Sequence, residues 1–227
     1  MRIFTHCSVK VSLIAGVCLL LASFVAAEGQ RDAATIARQV DERYNRLRSL
    51  QADFTEVYTG AAVDRTESGV LYLKKPGKMR WEYRSPKEKV FVSDGKSAWF
   101  YLPDERQARK SSLKQLEDLR SPLAFLLGKT KLEKELQGLA MAPDVPALSA
   151  GNVVLRGVPK AMADRVDEVV LEITPDAQIT RIVIEQGDGS RTEFRMTGQQ
   201  ENVALRDSLF AFSAPAGVEV VEDNFGQ

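Results

Sequence analysis

Few side chains in this sequence are of types that could do covalent chemistry, and their spacing decides what they can do. Ser93-Asp94-Gly95-Lys96 has the S-x-x-K spacing of serine β-lactamases, in which a lysine one helical turn on helps a serine attack an acyl group. That chemistry needs the serine at the head of a helix. Here the four residues separate "VFV" from "SAWFY", and Asp-Gly between β-branched and aromatic runs is the preferred chemistry of a two-residue hairpin turn. Ser93 and Lys96 therefore flank a turn. The acids Glu133, Glu135, Asp167 and Glu168 sit among lysines and arginines, as solvated faces do, rather than as an isolated acid–base pair. Gly187-Asp188-Gly189-Ser190 lacks the oxygen-ligand spacing of a calcium loop, and no stretch has the glycine pattern of a phosphate cradle.

The remaining reactive types all lie near the N-terminus. Arg2 and Lys10, the apolar run Val11 to Val25 and the small-residue end Val25-Ala26-Ala27 read as a secretory signal peptide over residues 1–27, cleaved after Ala27. The run is short for a membrane span. Cys18 lies inside it, between Val17 and Leu19, which argues against lipidation at that cysteine. Cleavage removes His6, Cys7 and Cys18, the only histidine and both cysteines. Residues 28–227 then form one domain with no imidazole and no thiol, which excludes His-based triads and metal sites of the usual nitrogen or sulfur type. The 31 basic residues fall to 29 as Arg2 and Lys10 leave, against 31 acidic ones, so nothing suggests a nucleic acid partner. The expectation is a binding protein: no enzyme, no metal and no cofactor.

The elements follow from periodicity. Arg31 to Leu50 reads as an amphipathic helix, with Ile36, Val40, Tyr44, Leu47 and Leu50 three and four apart and Asp32 as N-cap. The period then changes to two. "QADFTEVY", "SGVLYLKK", "KMRWEY", "KVFVSD" and "SAWFYLP" read as strands between Gly, Pro and Asp punctuation. Met79, Trp81 and Tyr83 share one strand face. In the Asp94-Gly95 hairpin, Val90, Val92, Trp99 and Tyr101 share one face and Phe91, Ala98 and Phe100 the other; both are apolar, so the pattern leaves open which looks inward. Leu113 to Lys129 turns helical again, broken at Ser121-Pro122. "MAPDVPALSAGN" is a loop. "NVVLRGV", "VDEVVLEIT", "QITRIVIEQ" and "SRTEFRMTGQ" are further strands, and the tail ends in a short one. The sum is one domain of about nine to eleven antiparallel strands with helices at its start and middle.

"SGVLYLKKPGKMRWEYRSPKEKVFVSDGKSAWFYLPDERQA" resembles the periplasmic carriers of outer-membrane lipoproteins, the LolA family. The glycine-started strand, the basic-Pro turn, the Trp-bearing strand, "VSDGK" and "WFYLP" carry the resemblance. It is specific over Gln51 to Ala108 and looser through "SPLAFLL" and the C-terminal "F-F-x-x-P-x-G-V". It implies a mainly β fold: a single strongly curved, incompletely closed antiparallel sheet, or half-barrel, with an N-terminal helix and lid helices over its concave face. It also implies a periplasmic monomer that takes lipoproteins from an inner-membrane lipoprotein-releasing ABC transporter and hands them to an outer-membrane lipoprotein acceptor. The implied acyl-chain cavity is walled by Leu71, Leu73, Met79, Trp81, Tyr83, Val92, Trp99 and the "LAFLL" positions Leu123, Phe125, Leu126 and Leu127. Pattern alone reads each as ordinary core. The family's latch, an arginine before the turn proline, is matched here by Lys75, which keeps the charge but loses the planar fork of donors. A lipid- or lipoprotein-sensing regulator of the same fold is the alternative, and a Ser93–Lys96 hydrolase the rival of another class.

Overall fold

Alternation of apolar and polar residues over most of the chain calls for a sheet, and a twelve-stranded one is present in the computed structural model, which describes residues 32–112 and 131–222. The expected signal peptide over residues 1–27 and the Leu113–Lys129 expectation, including Leu123, Phe125, Leu126 and Leu127, lie outside the described residues. The strands are β1 Ser49–Thr59, β2 Asp64–Lys74, β3 Lys78–Ser85, β4 Lys89–Asp94, β5 Ser97–Leu102, β6 Gln107–Ser112, β7 Leu136–Met141, β8 Val153–Pro159, β9 Val166–Ile173, β10 Ile179–Gln186, β11 Arg191–Glu201 and β12 Glu219–Glu222. They form one open, curved sheet in the order β12-β6-β5-β4-β3-β2-β1-β11-β10-β9-β8-β7. Every neighbouring pair is antiparallel except β12, which pairs with β6 in parallel. Two helices are described, α1 Ala33–Arg46 and the single turn α2 Leu132–Glu135.

Helix α1 starts where expected. The Asp32 carboxylate accepts the Thr35 N–H at 2.6 Å, an N-cap bond. Its end is earlier than the periodicity implies. Leu47 is already extended, and Ser49 and Leu50 open β1, where Leu50 pairs with Leu73. Leu50 is apolar at helical spacing by coincidence; its partner across the sheet decides its conformation. Ile36, Ala37, Val40 and Tyr44 bury one stripe of α1 in a single cluster with apolar residues of the sheet, among them Leu50, Leu71, Leu155, Leu171, Ile179 and Ile182. Each fully buried large side chain there is worth about 1.5–3 kcal/mol. The helix is also tied at its C-terminal turn. Tyr44 Oη accepts the Ile179 N–H at 3.0 Å, and Arg43 donates to Glu201 at 2.6 Å and to the Asp176 carbonyl at 2.8 Å.

The outer face of the sheet carries two coverings. Over β8–β10, the loop after β7 lies on Val154, Val170 and Val183 and on a buried ion pair, Glu172 and Arg181. Glu172 accepts the N–H groups of Leu148 and Ser149 and an Asn152 amide hydrogen. Arg181 donates Nη2 to the Pro146 carbonyl, while its Nε lies 2.9 Å from Glu172 without hydrogen-bond alignment. Over β2–β6, the chain after β11 runs as a strap. Phe210 is buried, the Arg80 guanidinium donates to the Leu209 carbonyl, and the Phe212 ring lies 5.3 Å from Trp99 and 5.4 Å from Tyr101.

Asp207 pins this strap. Hydrogen bonds from Lys74 and Lys78 hold its carboxyl down at about 2, below the ordinary 3.8. A depressed acid stabilises the folded state above its unfolded value and loses that contribution as pH falls through the folded one. Acidification from pH 3.8 to about 2 is therefore expected to speed amide exchange around Leu205–Phe210. Asp207→Asn should exchange fast throughout; an equal pH response in both proteins would contradict the pinning role.

Candidate functional site

Directly paired residues of neighbouring strands project to one side, so the register sorts the apolar positions. Leu71 pairs with Trp81, Leu73 with Met79, Trp81 with Phe91, and Phe91 with Phe100. These residues share the inner face with Leu50 and Phe54 and with the residues that α1 covers. Val92 and Trp99 do not. Val92 pairs with Arg80 and with Trp99, on the outer face beneath the strap. They leave the candidate wall, and Phe91 and Phe100 take their places. Two equally apolar hairpin faces could not reveal this. Only the pairing of β4 with the strongly amphipathic β3 settles it.

The inner face has two halves. Over β7–β11, aliphatic side chains that include Ile173, Ile179 and Ile182 lie fully buried in one cluster with Ile36, Ala37, Val40 and Tyr44 of α1. Over β3–β5 it is an aromatic floor in which Met79, Tyr83, Phe91 and Phe100 are only partly buried. Trp81, 3% exposed, joins the halves. Phe54 meets it edge-on at 4.7 Å, Phe194 meets it at 5.7 Å, and Tyr83 meets Phe54 at 4.9 Å. Edge-to-face contacts of this kind fix ring orientation as well as burying area. The close approach of β2 and β3 beneath these rings depends on Gly69, opposite Tyr83.

Lys75 reaches the same C-terminal end of α1. Its ammonium donates to the Tyr44 carbonyl and, at 3.3 Å, to the Asn45 carbonyl, and partial burial lowers its affinity for the proton. Helix C-terminal carbonyls lack intrahelical donors, and a cation there is worth about 0.3–1 kcal/mol at an exposed site. The candidate latch thus clasps α1. Lys75→Leu is expected to leave the sheet folded, lower the unfolding free energy by at most about 1 kcal/mol, and loosen the last turn of α1. Unchanged amide exchange at Tyr44 to Leu47 would remove Lys75 from that role.

The candidate chemistry is dispersed. Ser93 is buried, donates its hydroxyl to the Gly77 carbonyl at 3.1 Å and accepts the Gly95 N–H. Asp94 caps the turn by accepting the Lys96 and Ser97 N–H groups, both at 2.8 Å. Glu133 faces Arg38 at 3.6 Å and Glu168 faces Arg156 at 3.7 Å, on the surface. Among the described residues no three metal-binding side chains converge, and no helix is long and apolar enough to cross a membrane. What the inner face offers is apolar contact. Sequence reasoning missed Phe54 and Phe194, whose strand neighbours are charged and hide the aromatic run they complete.

The comparisons with known proteins agree with this architecture. An uncharacterized conserved protein from Thermus thermophilus superposes with a TM-score of 0.55 at 16% identity, covering 84% of this chain and 99% of that one. The Mycobacterium tuberculosis lipoprotein LppX gives 0.51 at 15% identity over 77% and 98%. At such identities they share the fold alone. Sequence relatives are nearer. The outer-membrane lipoprotein carrier protein of Nitrosospira multiformis is 30% identical over 78% of this chain and 83% of its own length, and that of Salmonella typhi is 31% identical over 89% and 94%. Residues 45–213 match the family model described as outer membrane lipoprotein carrier protein LolA, a span that takes in β1 to β11, α2 and the strap as far as Ser213. An aromatic inner floor beside a helix-packed half, a basic-Pro turn clasping the first helix and relatives of one kind over nearly the whole chain lead to one assignment: this chain belongs to the LolA family of outer-membrane lipoprotein carriers.

Proposed function

We propose that the protein is a periplasmic carrier that holds the acyl chains of a lipoprotein against the inner face over β3–β5 and moves it from the inner to the outer membrane. It receives cargo from an inner-membrane releasing transporter and yields it to an outer-membrane acceptor. The observation that carries the reading is the partly buried floor of Met79, Tyr83, Phe91 and Phe100, beside a half that α1 already fills. Rings and a flexible thioether suit a ligand defined by apolar area rather than by polar contacts. Binding and release are both required. Three acyl chains contain on the order of 45 methylenes, and full burial at about 0.8 kcal/mol each would exceed the ceiling of about 18–21 kcal/mol for non-covalent affinity. Cargo is therefore partly covered, or its entry displaces something. Lys75 at the end of α1 is the proposed latch.

The test is direct. The exported chain should keep a purified triacylated lipoprotein in solution without detergent, and Phe91→Asp should reduce that capacity at least about tenfold while the outer-face control Val90→Asp does not. Precipitation of the lipoprotein in the presence of the unaltered protein would overturn the carrier reading.

A further inference from the structure

Four pieces of chain meet at one end of the sheet. The Lys75 N–H donates to the Arg48 carbonyl at 2.9 Å, which joins the β2–β3 turn to the link between α1 and β1. The Arg48 N–H donates to the Asn202 side chain at 2.9 Å, which joins that link to the start of the strap. Lys78 pairs with Asp94 across β3 and β4, and the Ser93 hydroxyl donates to the Gly77 carbonyl. The Asp94-Gly95 turn therefore lies beside the other three.

This end is basic in a chain of zero formal net charge. Arg46 closes α1 and Arg48 follows it; Lys74, Lys75 and Lys78 surround the β2–β3 turn; Lys96 lies in the β4–β5 turn and Arg206 in the strap. The acids that the same contacts place here are Asp94 and Asp207. Asp207 is taken by Lys74 and Lys78, and Asp94 accepts two N–H groups of its own turn. Arg43, one turn of helix earlier, is spent on Glu201 and Asp176. Arg46, Arg48, Lys96 and Arg206 are exposed, and among the described residues none of them has an acidic partner. Clustered like charges repel, so the fold gains nothing from this grouping by itself. The four free cations sit on separate pieces of chain rather than in a fixed array of donors. That arrangement suits a plane of many mobile phosphates better than one shaped acidic partner, whose carboxylates need donors in register. The exposed large apolar side chains among the described residues, Val63, Leu148 and Val220, lie elsewhere, so contact at this end is electrostatic and reversible.

We infer that this basic end is a docking surface for an anionic lipid bilayer, whose phosphate head groups meet Arg46, Arg48, Lys96 and Arg206. Docked in this way, the protein presents Lys75 and the Met79 end of the aromatic floor to the membrane.

The experiment titrates the exported chain with vesicles of phosphatidylcholine alone and of phosphatidylcholine with an equal part of phosphatidylglycerol. Binding should need the anionic lipid and should weaken steeply with salt, since screening shortens from about 10 Å at 0.1 M to about 3 Å at 1 M. Each cation near such a surface strengthens binding about fivefold. Arg46→Gln, Arg48→Gln, Lys96→Gln and Arg206→Gln combined should therefore weaken it at least about thirtyfold. Arg84→Gln, Lys87→Gln, Arg106→Gln and Arg165→Gln combined remove the same charge near the other ends of the strands and should weaken it less than about threefold. Equal losses in the two variants would overturn the docking surface. So would an unaltered protein that ignores the anionic vesicles, and its retention by soluble polyglutamate would then assign the basic end to an acidic protein. The lipoprotein-solubility test contains no vesicles, so the carrier reading stands or falls apart from these results.

Discussion

Gly69→Ala is expected to unfold the domain or to lower its stability by more than about 4 kcal/mol, a loss well outside the common range for one methyl group. The reason is a contact with backbone. A Cβ at Gly69 would lie 1.8 Å from the Glu82 carbonyl oxygen, 2.7 Å from its carbon and 2.9 Å from the Tyr83 Cα. None of these atoms can rotate away. The register of β2 on β3 already shifts between Ser68 and Gly69, so the strand is locally bent where the approach is closest. Glycine in a strand interior marks such approaches. Restoring a normal distance would pry apart the two strands that carry Leu71, Leu73, Met79, Trp81 and Tyr83. The ring contacts among Phe54, Trp81 and Tyr83 would then fail with them. Urea unfolding and near-ultraviolet circular dichroism measure the outcome. An alanine variant with the parent midpoint would show that β2 and β3 are not in such close contact.

The second large effect lies on the opposite face. Glu172→Ala should cost about 3–5 kcal/mol, because it strands the Arg181 guanidinium in a site 5% exposed and removes the acceptor of the Leu148 and Ser149 N–H groups. Glu172→Met together with Arg181→Met should recover much of that loss, as paired replacements by apolar residues of similar volume do. The comparison of single with double variant is the measurement. A double variant no better than the single would place the cost in the loop's lost N–H acceptor rather than in the stranded charge. In either case acyl-chain binding by the folded fraction should be unchanged, since the pair faces away from the aromatic floor.

The fold was legible wherever local chemistry and long-range pairing agree. β1–β5 and β8–β11 alternate clearly and are punctuated by Gly, Pro and Asp, and Asp32 caps α1 as its residue type suggests. Twelve strands are present where nine to eleven were expected. The extra ones are the charged β6, "QARKSS", which carries no apolar alternation, and β7, which follows directly on the single turn α2. Both owe their form to a neighbouring strand rather than to their own residues. β12 is parallel to β6, an arrangement reached only because the strap first crosses the outer face.

The candidate wall was legible in part for the same reason. Met79, Trp81 and Tyr83 sit on a strand whose opposite face, Lys78, Arg80, Glu82 and Arg84, is charged, so one side had to be inner, and pairing carries Leu71 and Leu73 to that side. Val92 and Trp99 sit on a hairpin greasy on both sides because the strap covers one of them, a fact written far along the chain in Phe210 and Phe212. The basic end with Arg46, Arg48, Lys96 and Arg206 was invisible. Singly, each is an ordinary polar residue of a helix end or a turn; only long-range pairing brings them together.

The division of the inner face into a helix-filled half and an aromatic half has a consequence for an empty molecule. Met79 and Phe91 pack against the cluster that α1 joins but stay only partly buried, whereas Ile173, Ile179 and Ile182 in that cluster are fully buried, so shape rests chiefly on one set of residues and the accessible apolar surface on another. The fully buried set therefore holds the fold without a ligand, and the partly buried positions can change in evolution while it stays as it is.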